Sequence, residues 1–261
     1  MAALFRRELT PVQVVKKSRE DRFSAREIIS GIFTDFIELH GDRYAGDDAS
    51  VIGGLANLGG QPVTVIAIDK GTDIKDKLAK RNGSPEPYGY RKATRLMDQA
   101  AKFGRPIITF INTPGAFPGK SAEDQGQGEA IADSILQSMK YPVPMIAIVY
   151  GEGGSGGALA LATSDQVWMF QNATYSILSP EGFAAILWKD AKRSGEAAEL
   201  MGLTPNDLLA NGIIEYIVPE SRSHNRVFNL VRAKLLEEIQ QLQSLTTTEL
   251  VAKRRARFRA F

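Results

Sequence analysis

Residues 145–162 read MIAIVYGEGGSGGALALA: an apolar run, then five glycines, then a run of alanine and leucine. This pattern predicts a strand, a tight turn and a helix whose first turn has almost no side chains. Glycines let a ligand approach the backbone closely, and the start of a helix presents unpaired N–H groups and the positive end of its dipole. The stretch therefore predicts a site in which backbone amides bind an anion or a developing oxyanion.

Three motifs overlap in this stretch, and each favours a different kind of protein. Gly151-x-Gly153-x-x-Gly156 matches the dinucleotide-binding fingerprint, Gly153-x-Ser155-x-Gly157 matches the nucleophile elbow of hydrolases, and the glycine pairs suit an oxyanion hole without a nucleophile. A dinucleotide site should follow the first strand of its domain and end in an acid after the second strand. Here the motif lies in mid-chain and the next strand ends in FQN, so this interpretation is disfavoured.

The elbow interpretation needs an acid and a base later in the chain. The order Ser155, then Asp165, Asp190 or Asp207, then His224 satisfies that requirement. However, His224 lies in the polar segment SRSHNR, and no HGGG-type loop precedes the serine. A catalytic base must be held in a fixed position, so a serine hydrolase is also disfavoured.

Composition excludes several classes of site. The chain has 261 residues, which suffices for one large domain or two small ones, and it contains no cysteine, so disulfides, thiolate metal sites and a catalytic thiol are excluded. With only His40 and His224, a histidine-rich metal site is excluded as well, and we expect no metal on this chain. No apolar run approaches the roughly 20 residues of a membrane span, and the N-terminus lacks a signal-peptide core, so we expect a cytoplasmic protein.

Basic residues are concentrated in two segments. Residues 70–95 hold eight lysines and arginines against three acidic residues, and the C-terminus reads KRRARFRAF. We interpret residues 70–95 as lying near an anionic ligand or a partner; nucleic-acid binding is only weakly supported, because no recognised binding module surrounds these charges.

Strand and helix patterns alternate along the chain. They predict helices over 25–40, 90–103, 128–140, 154–162, 180–189, 194–201, 205–210 and 225–242, strands over 51–58, 62–69, 106–112, 145–150, 166–170, 174–178 and 213–218, and a polar loop over 71–89. Such alternation implies an α/β fold with helices against a sheet. Two strand ends carry unusual loops, TPGAFPG at 113–119 and GEGGSGG at 151–157, and these loops meet if their strands are neighbours.

Five segments together resemble one family. EPYGYRKATRLM (86–97), ITFINTPGAFPG (108–119), EDQGQGEAIA (123–132), GEGGSGGALA (151–160) and YSILSPEGFAAILWKD (175–190) are similar to the carboxyltransferase alpha subunits of bacterial acetyl-CoA carboxylase. The resemblance implies an α/β, crotonase-like (ClpP/crotonase) spiral of ββα units with a C-terminal helical segment. Residues 1–261 are then a single carboxyltransferase domain, with an N-terminal extension (1–23), a crotonase-like core (24–220), and a C-terminal helix and basic tail (221–261).

The resemblance also implies an activity and partners. Members of this family transfer the carboxyl group of carboxybiotin to acetyl-CoA, giving malonyl-CoA for fatty acid synthesis. They act only with a beta subunit, in an α2β2 heterotetramer, together with biotin carboxyl carrier protein and biotin carboxylase in an ATP-dependent holoenzyme. No cofactor is expected to be bound tightly by this chain, and zinc is expected only on the beta subunit.

By the same resemblance, the N–H groups of Gly156 and Gly157 stabilise the negative charge on the biotin ureido oxygen. Gly115, Ala116, Gly153 and Gly154 are expected to bind carboxybiotin, and Arg91 and Lys92 to contact coenzyme A or the partner. On this basis we expect Gly157→Val to abolish transfer and to leave folding largely intact.

Two other functions stay open. A stand-alone crotonase-type acyl-CoA hydratase or hydrolase would need an acid or base within the chain, for which Glu123, Asp124 and Glu129 are the nearest candidates. A non-catalytic scaffold would keep the fold for assembly or RNA binding.

Overall fold

The computed structural model describes residues 9–20 and 22–261, and a mixed sheet of eight strands runs through this part of the chain. The strands are β1 (Thr34–Glu38), β2 (Val51–Leu58), β3 (Gln61–Ile68), β4 (Ile107–Thr113), β5 (Met145–Gly154), β6 (Gln166–Phe170), β7 (Thr174–Ser176) and β8 (Tyr216–Val218). Their order is β1-β2-β3-β4-β5-β6-β8, and β7 pairs with the last three residues of β5. The pairs β1–β2 and β2–β3 are antiparallel and the others are parallel.

Helices surround this sheet. They are α1 (Pro11–Arg19), α2 (Ala25–Ile32), α3 (Ile74–Ala79), α4 (Pro87–Lys102), α5 (Lys120–Asp124), α6 (Gln127–Ser138), α7 (Ser155–Ala162), α8 (Pro180–Trp188), α9 (Ser194–Leu200), α10 (Pro205–Ala210), α11 (His224–Gln243) and α12 (Thr247–Phe258). Helix α4 packs on β2 and β3, α7 packs on β4 and β5, and α11 packs on α2. Every residue of β4 and the first seven residues of β5 are buried, as expected for central parallel strands covered on both faces.

Local sequence signals set most of the boundaries. Gly59 and Gly60 both have positive φ angles, 58° and 96°, so they form the tight turn of the antiparallel β2–β3 hairpin. Ser24 caps α2 in a capping box with Glu27, and Ser179 caps α8. These signals lie in the residues themselves and need no contact from elsewhere in the chain.

Two predictions of element type are wrong, and several predicted strands differ from the structure by a few residues at their ends, as the strand expected over 213–218 begins only at Tyr216. The helix expected over 25–40 ends at Ile32, because the chain becomes extended at Phe33 and residues 34–38 pair with the edge of β2 instead. The loop expected over 71–89 contains helix α3, which Asp73 caps. Helix α3 is short and buries no side chain, and its one apolar pair at helical spacing, Ile74 and Leu78, is exposed and too short a signal to reveal a helix.

Arginines attach both terminal segments to the sheet. Arg22 donates to the carbonyl oxygen of Tyr150 (2.7 Å) and to the carboxylate of Glu220 (2.9 Å). Arg254 of α12 is buried, pairs with Asp165 at 2.8 Å, and donates to three backbone carbonyl groups. The basic C-terminal segment is therefore a helix packed on the rest of the chain.

Candidate active site

The two glycine-bearing loops meet, because their strands are parallel neighbours. Strands β4 and β5 pair from Ile107 opposite Met145 to Thr113 opposite Gly153, so both loops leave the same edge of the sheet. A Cβ atom built on Gly154 would lie 2.2 Å from the carbonyl oxygen of Pro114. The loops are thus in backbone-to-backbone contact, as predicted for neighbouring strands.

Gly157 has the same kind of contact. A Cβ atom on Gly157 would lie 2.5 Å from the Ala116 nitrogen, 2.9 Å from the Gly115 carbonyl carbon and 2.7 Å from the Tyr90 hydroxyl oxygen. We call the place where residues 113–117 meet residues 153–157 the loop junction. At this junction the side-chain space of Gly157 is filled by the other loop, so glycine is needed there for packing, whatever ligand approaches.

Gly156 differs from Gly157. A Cβ atom on Gly156 would meet only Ile131 Cγ2, at 3.6 Å, which is an ordinary contact, and the residue is half-buried. The packing of the chain therefore does not require a glycine at position 156.

Helix α7 begins without a side-chain cap. Its N-cap is Gly154, which makes no side-chain hydrogen bond to the first turn. The N–H groups at the start of a helix have no partner within the helix, and the helix dipole is positive at this end. Glycines at 156 and 157 leave these donors uncovered by side chains of their own.

The turn before α7 is shorter than the sequence predicts. Strand β5 continues to Gly154 because residues 152–154 pair with β7, so Gly153 is a strand residue opposite Tyr175. A Cβ atom on Gly153 would lie 2.8 Å from the Tyr175 ring, which gives this glycine a packing role. The reversal itself falls on Ser155, which is exposed and has a positive φ of 52°.

A cavity of about 310 Å³ opens beside the junction. Pro114, Gly153 and Gly154 line it, together with residues of α1, β7 and the start of α8, whereas Gly156 and Gly157 do not. Its volume lies at the lower end of the range for small-molecule sites, about 300–1,000 Å³.

Charged side chains cross this cavity in one connected network. Glu152 pairs with Lys70 and, at 2.8 Å, with Arg19 of α1; Arg19 also pairs with Glu181 of α8 at 2.8 Å. The hydrogen bond from Arg19 holds the pKa of Glu181 at about 2, below its ordinary value of 4.5. Burial lowers the pKa of Lys70, and the charge of Glu152 opposes this shift. The network fixes α1 and α8 to the end of β5.

Sequence reasoning missed Arg19, Lys70 and Glu181 as residues of this cavity. Arg19 and Glu152 are 133 positions apart, and no periodicity connects them. The only available signal was the concentration of basic residues in 70–95, which includes Lys70.

Arg91 and Lys92 are held within the chain. Lys92 is 1% exposed, and its ammonium group donates to the Asp47 carboxylate and, at 2.8 Å, to the Asp48 carbonyl oxygen. Arg91 pairs with Asp42 at 2.9 Å. Neither side chain lines the cavity at the junction, and their contact with coenzyme A or a partner stays a prediction.

The structure does not assemble a serine triad. His224 stacks edge-to-face on the ring of Phe23, at 4.7 Å between centroids, and no hydrogen bond joins it to Ser155 in the described residues. The three candidate acids have other partners: Asp165 binds Arg254, Asp190 accepts from the Lys192 N–H, and Asp207 forms a capping box with Thr204.

The acids proposed for a stand-alone enzyme are exposed. Glu123 and Asp124 lie on α5 and Glu129 lies on α6, all open to solvent. Among residues 9–20 and 22–261 there is no group of three His, Asp or Glu side chains that could hold a metal ion. In the same residues no helix has the length and apolar character needed to cross a membrane.

Solved structures share this fold. Transcarboxylase 12S superposes with a TM-score of 0.73 at 18% identity, over 90% of this chain and 44% of that chain. A chain of a Pseudomonas malonate decarboxylase hetero-tetramer gives 0.67 at 17% identity, over 80% of this chain and 86% of that chain. These likenesses show that the chain shares the fold of these proteins, which confirms the predicted fold class.

Sequence comparison identifies the family within this class. The chain matches the model of the acetyl co-enzyme A carboxylase carboxyltransferase-like family over residues 2–261. It is 52% identical to the acetyl-coenzyme A carboxylase carboxyl transferase subunit alpha of Streptococcus pyogenes serotype M5 (strain Manfredo), and 53% identical to that of Streptococcus equi subsp. zooepidemicus (strain MGCS10565). Each match covers 95% of this chain and 98% of the relative. The chain therefore belongs to the acetyl-CoA carboxylase carboxyltransferase family, as an alpha-type subunit.

Proposed function

We propose that this alpha subunit binds carboxybiotin at the loop junction and, with a beta subunit, transfers the carboxyl group to acetyl-CoA to give malonyl-CoA. The observation that supports this is the contact between the two loops beside the uncapped start of α7. Such a junction offers several backbone donors to one ligand atom, and it contains no nucleophile–base pair that would favour hydrolysis.

The start of α7 would act on the ureido oxygen of biotin. When the carboxyl group leaves the ring nitrogen, negative charge develops on that oxygen. Gly156 and Gly157 would direct their N–H groups to it, and the positive end of the α7 dipole would stabilise the same negative charge. Each such donor is worth about 2.7–4 kcal/mol in the barrier.

Gly115, Ala116, Gly153 and Gly154 would form the rest of the binding surface. The first two hold the opposite loop against α7, and the last two line the adjoining cavity, which has room for part of a biotin ring system. The carboxylates that line this cavity, Glu152 and Glu181, are both ion-paired and are not free to act as bases. The freed ring nitrogen of biotin is then the base for the acetyl methyl proton.

The thioester half of the reaction would belong to the partner. We propose an α2β2 assembly with a zinc-bearing beta subunit, supplied by biotin carboxyl carrier protein and biotin carboxylase in the cytoplasm. Residues 1–261 would act in it as one carboxyltransferase domain, with 1–23 as extension, 24–220 as core and 221–261 as C-terminal segment. Arg91 and Lys92 are proposed to contact coenzyme A or the beta subunit.

The experiment compares the chain alone and mixed with its beta subunit in malonyl-CoA-dependent carboxylation of free biotin. We expect activity only in the mixture. Acyl-CoA turnover by the isolated chain would instead support a stand-alone crotonase-type enzyme, and inactivity of both preparations would support a scaffold.

A matched pair of variants tests the role of the Gly156 N–H. Gly156→Pro removes this donor; because proline also restricts the preceding residue, Ser155, whose φ is 52°, the thermal unfolding of this variant is compared with that of wild type. Gly156→Ala keeps the donor and adds a methyl group that the chain accommodates. We expect the proline variant to lose about 100- to 1,000-fold in kcat, as for loss of one oxyanion donor, and the alanine variant to lose far less. Equal rates for the two variants would show that this N–H is not used.

A further inference from the structure

Tyr90 lies behind the loop junction as a fully buried side chain. It belongs to α4, and its ring packs in a small apolar cluster with Ala116, Ala130, Ile131 and Ala160. Its hydroxyl group has no hydrogen-bond partner among the described residues, although it is completely enclosed. Most buried polar groups in proteins are hydrogen-bonded, so this hydroxyl requires an explanation.

The position of the hydroxyl suggests one. Its oxygen occupies the space that a side chain on Gly157 would take, 2.7 Å from the Cβ position, and the Ala116 nitrogen lies 2.5 Å from the same point. The hydroxyl therefore lies where the TPGAFPG loop touches the first turn of α7. The backbone groups expected to bind ligand there are N–H donors.

Packing alone does not account for the hydroxyl. Phenylalanine would fill the apolar cluster with the same ring and would leave no unsatisfied polar atom. Burial also raises the pKa of Tyr90, so the group stays protonated and remains able to donate.

We propose that the Tyr90 hydroxyl is a further hydrogen-bond donor to the ureido oxygen of bound biotin, alongside the amides at the start of α7. This inference rests on the proposed function of the junction. Because the hydroxyl is completely enclosed by the junction, the ligand oxygen reaches it when the two loops part, and it then supplies the missing acceptor.

The test compares Tyr90→Phe with Tyr141→Phe in the assembled carboxyltransferase. Tyr141 is also buried, but its hydroxyl donates to Asp98 at 2.7 Å and it lies outside the junction. We expect Tyr90→Phe to lower kcat for biotin carboxylation about 10- to 100-fold with little change in the KM for malonyl-CoA, and not to lower the melting temperature. Tyr141→Phe should do the reverse, because it breaks a hydrogen bond without touching the site: a lower melting temperature and an unchanged kcat.

Two results would overturn the inference. Turnover by Tyr90→Phe at the wild-type rate would show that the hydroxyl does not act on the ligand. A lower melting temperature for Tyr90→Phe would show that the hydroxyl already has a partner in the free protein. In either case the proposed function would survive if the wild-type complex carboxylates biotin and Gly156→Pro does not, so the two failures are distinguishable.

Discussion

Substitution of Gly157 by alanine should separate the two loops of the junction. The added Cβ atom would lie 2.5 Å from the Ala116 nitrogen, whereas ordinary contacts begin at 3.4 Å, so the TPGAFPG loop must move by about 0.9 Å, the difference between the two. Both near atoms of residues 115 and 116 are backbone, which cannot rotate away as a side chain does. Overpacking of this kind costs about 1–3 kcal/mol. A displacement of about 1 Å in a catalytic site lowers the rate about 100-fold.

Gly156→Ala is the matched control, since its Cβ would find its nearest neighbour at 3.6 Å. Rates of malonyl-CoA-dependent biotin carboxylation would be compared in the assembled enzyme, and thermal unfolding would be followed in parallel. We expect Gly157→Ala to melt several degrees lower, at about 2–4 °C per kcal/mol, and to turn over about 100-fold more slowly than Gly156→Ala. Equal rates for the two variants would refute the argument that the spacing of the loops controls the site.

The same contacts revise one expectation from the sequence. Gly157→Val was expected to leave folding largely intact, but a side chain at this position collides with backbone atoms of the neighbouring loop. The expectation is wrong because it assumed that only a ligand approaches Gly157, whereas this residue is buried against the other loop.

Three further predictions address the rest of the chain. Ser155→Ala should change kcat by less than about twofold, because the hydroxyl is exposed and has no base beside it; a loss of about 100-fold would restore the nucleophile interpretation. Arg254→Met should destabilise the fold by about 3–5 kcal/mol in urea unfolding, because it leaves the Asp165 carboxylate buried without its ion pair, and adding Asp165→Asn should recover part of the loss. Arg19 holds the pKa of Glu181 at about 2, so the ion pair should make wild type more stable than Glu181→Gln, by at most about 1 kcal/mol for this partly exposed pair. This difference in unfolding free energy should be complete above pH 4.5 and should vanish as the pH falls through about 2. Urea titrations of both proteins at several pH values would check this, and a difference independent of pH would contradict it.

The sequence was most informative where one segment carries its own signal. The β2–β3 hairpin, the buried strand β4 and the capped helix α8 could be predicted from turn glycines, apolar runs and an N-cap serine. Strand β1 could not, because its conformation is decided by pairing with β2, and the same residues also fit a helical stripe.

The candidate site also has one part that could be predicted from the sequence and one part that could not. The meeting of TPGAFPG with GEGGSGG follows from the general rule that parallel neighbouring strands end at one edge, and it was predicted on the condition that the two strands are neighbours. The cavity beside it depends on Arg19, which reaches Glu152 and Glu181 across 133 and 162 positions. Such contacts are a property of the packed chain and leave no pattern in the sequence.

The balance of donors and acceptors at the junction indicates what can bind there. The start of α7 offers N–H groups without a side-chain cap, and Tyr90 offers a hydroxyl without a partner. The carboxylates that line the adjoining cavity, Glu152 and Glu181, already accept hydrogen bonds from Lys70 and Arg19. A hydratase or hydrolase needs a free base to take a proton from water, and these two carboxylates are not free. A ligand that brings its own acceptor oxygen, and on which negative charge grows as a group departs, is the kind of ligand that such donors stabilise. This is why the arrangement fits carboxyl transfer from biotin better than the other chemistries of this fold.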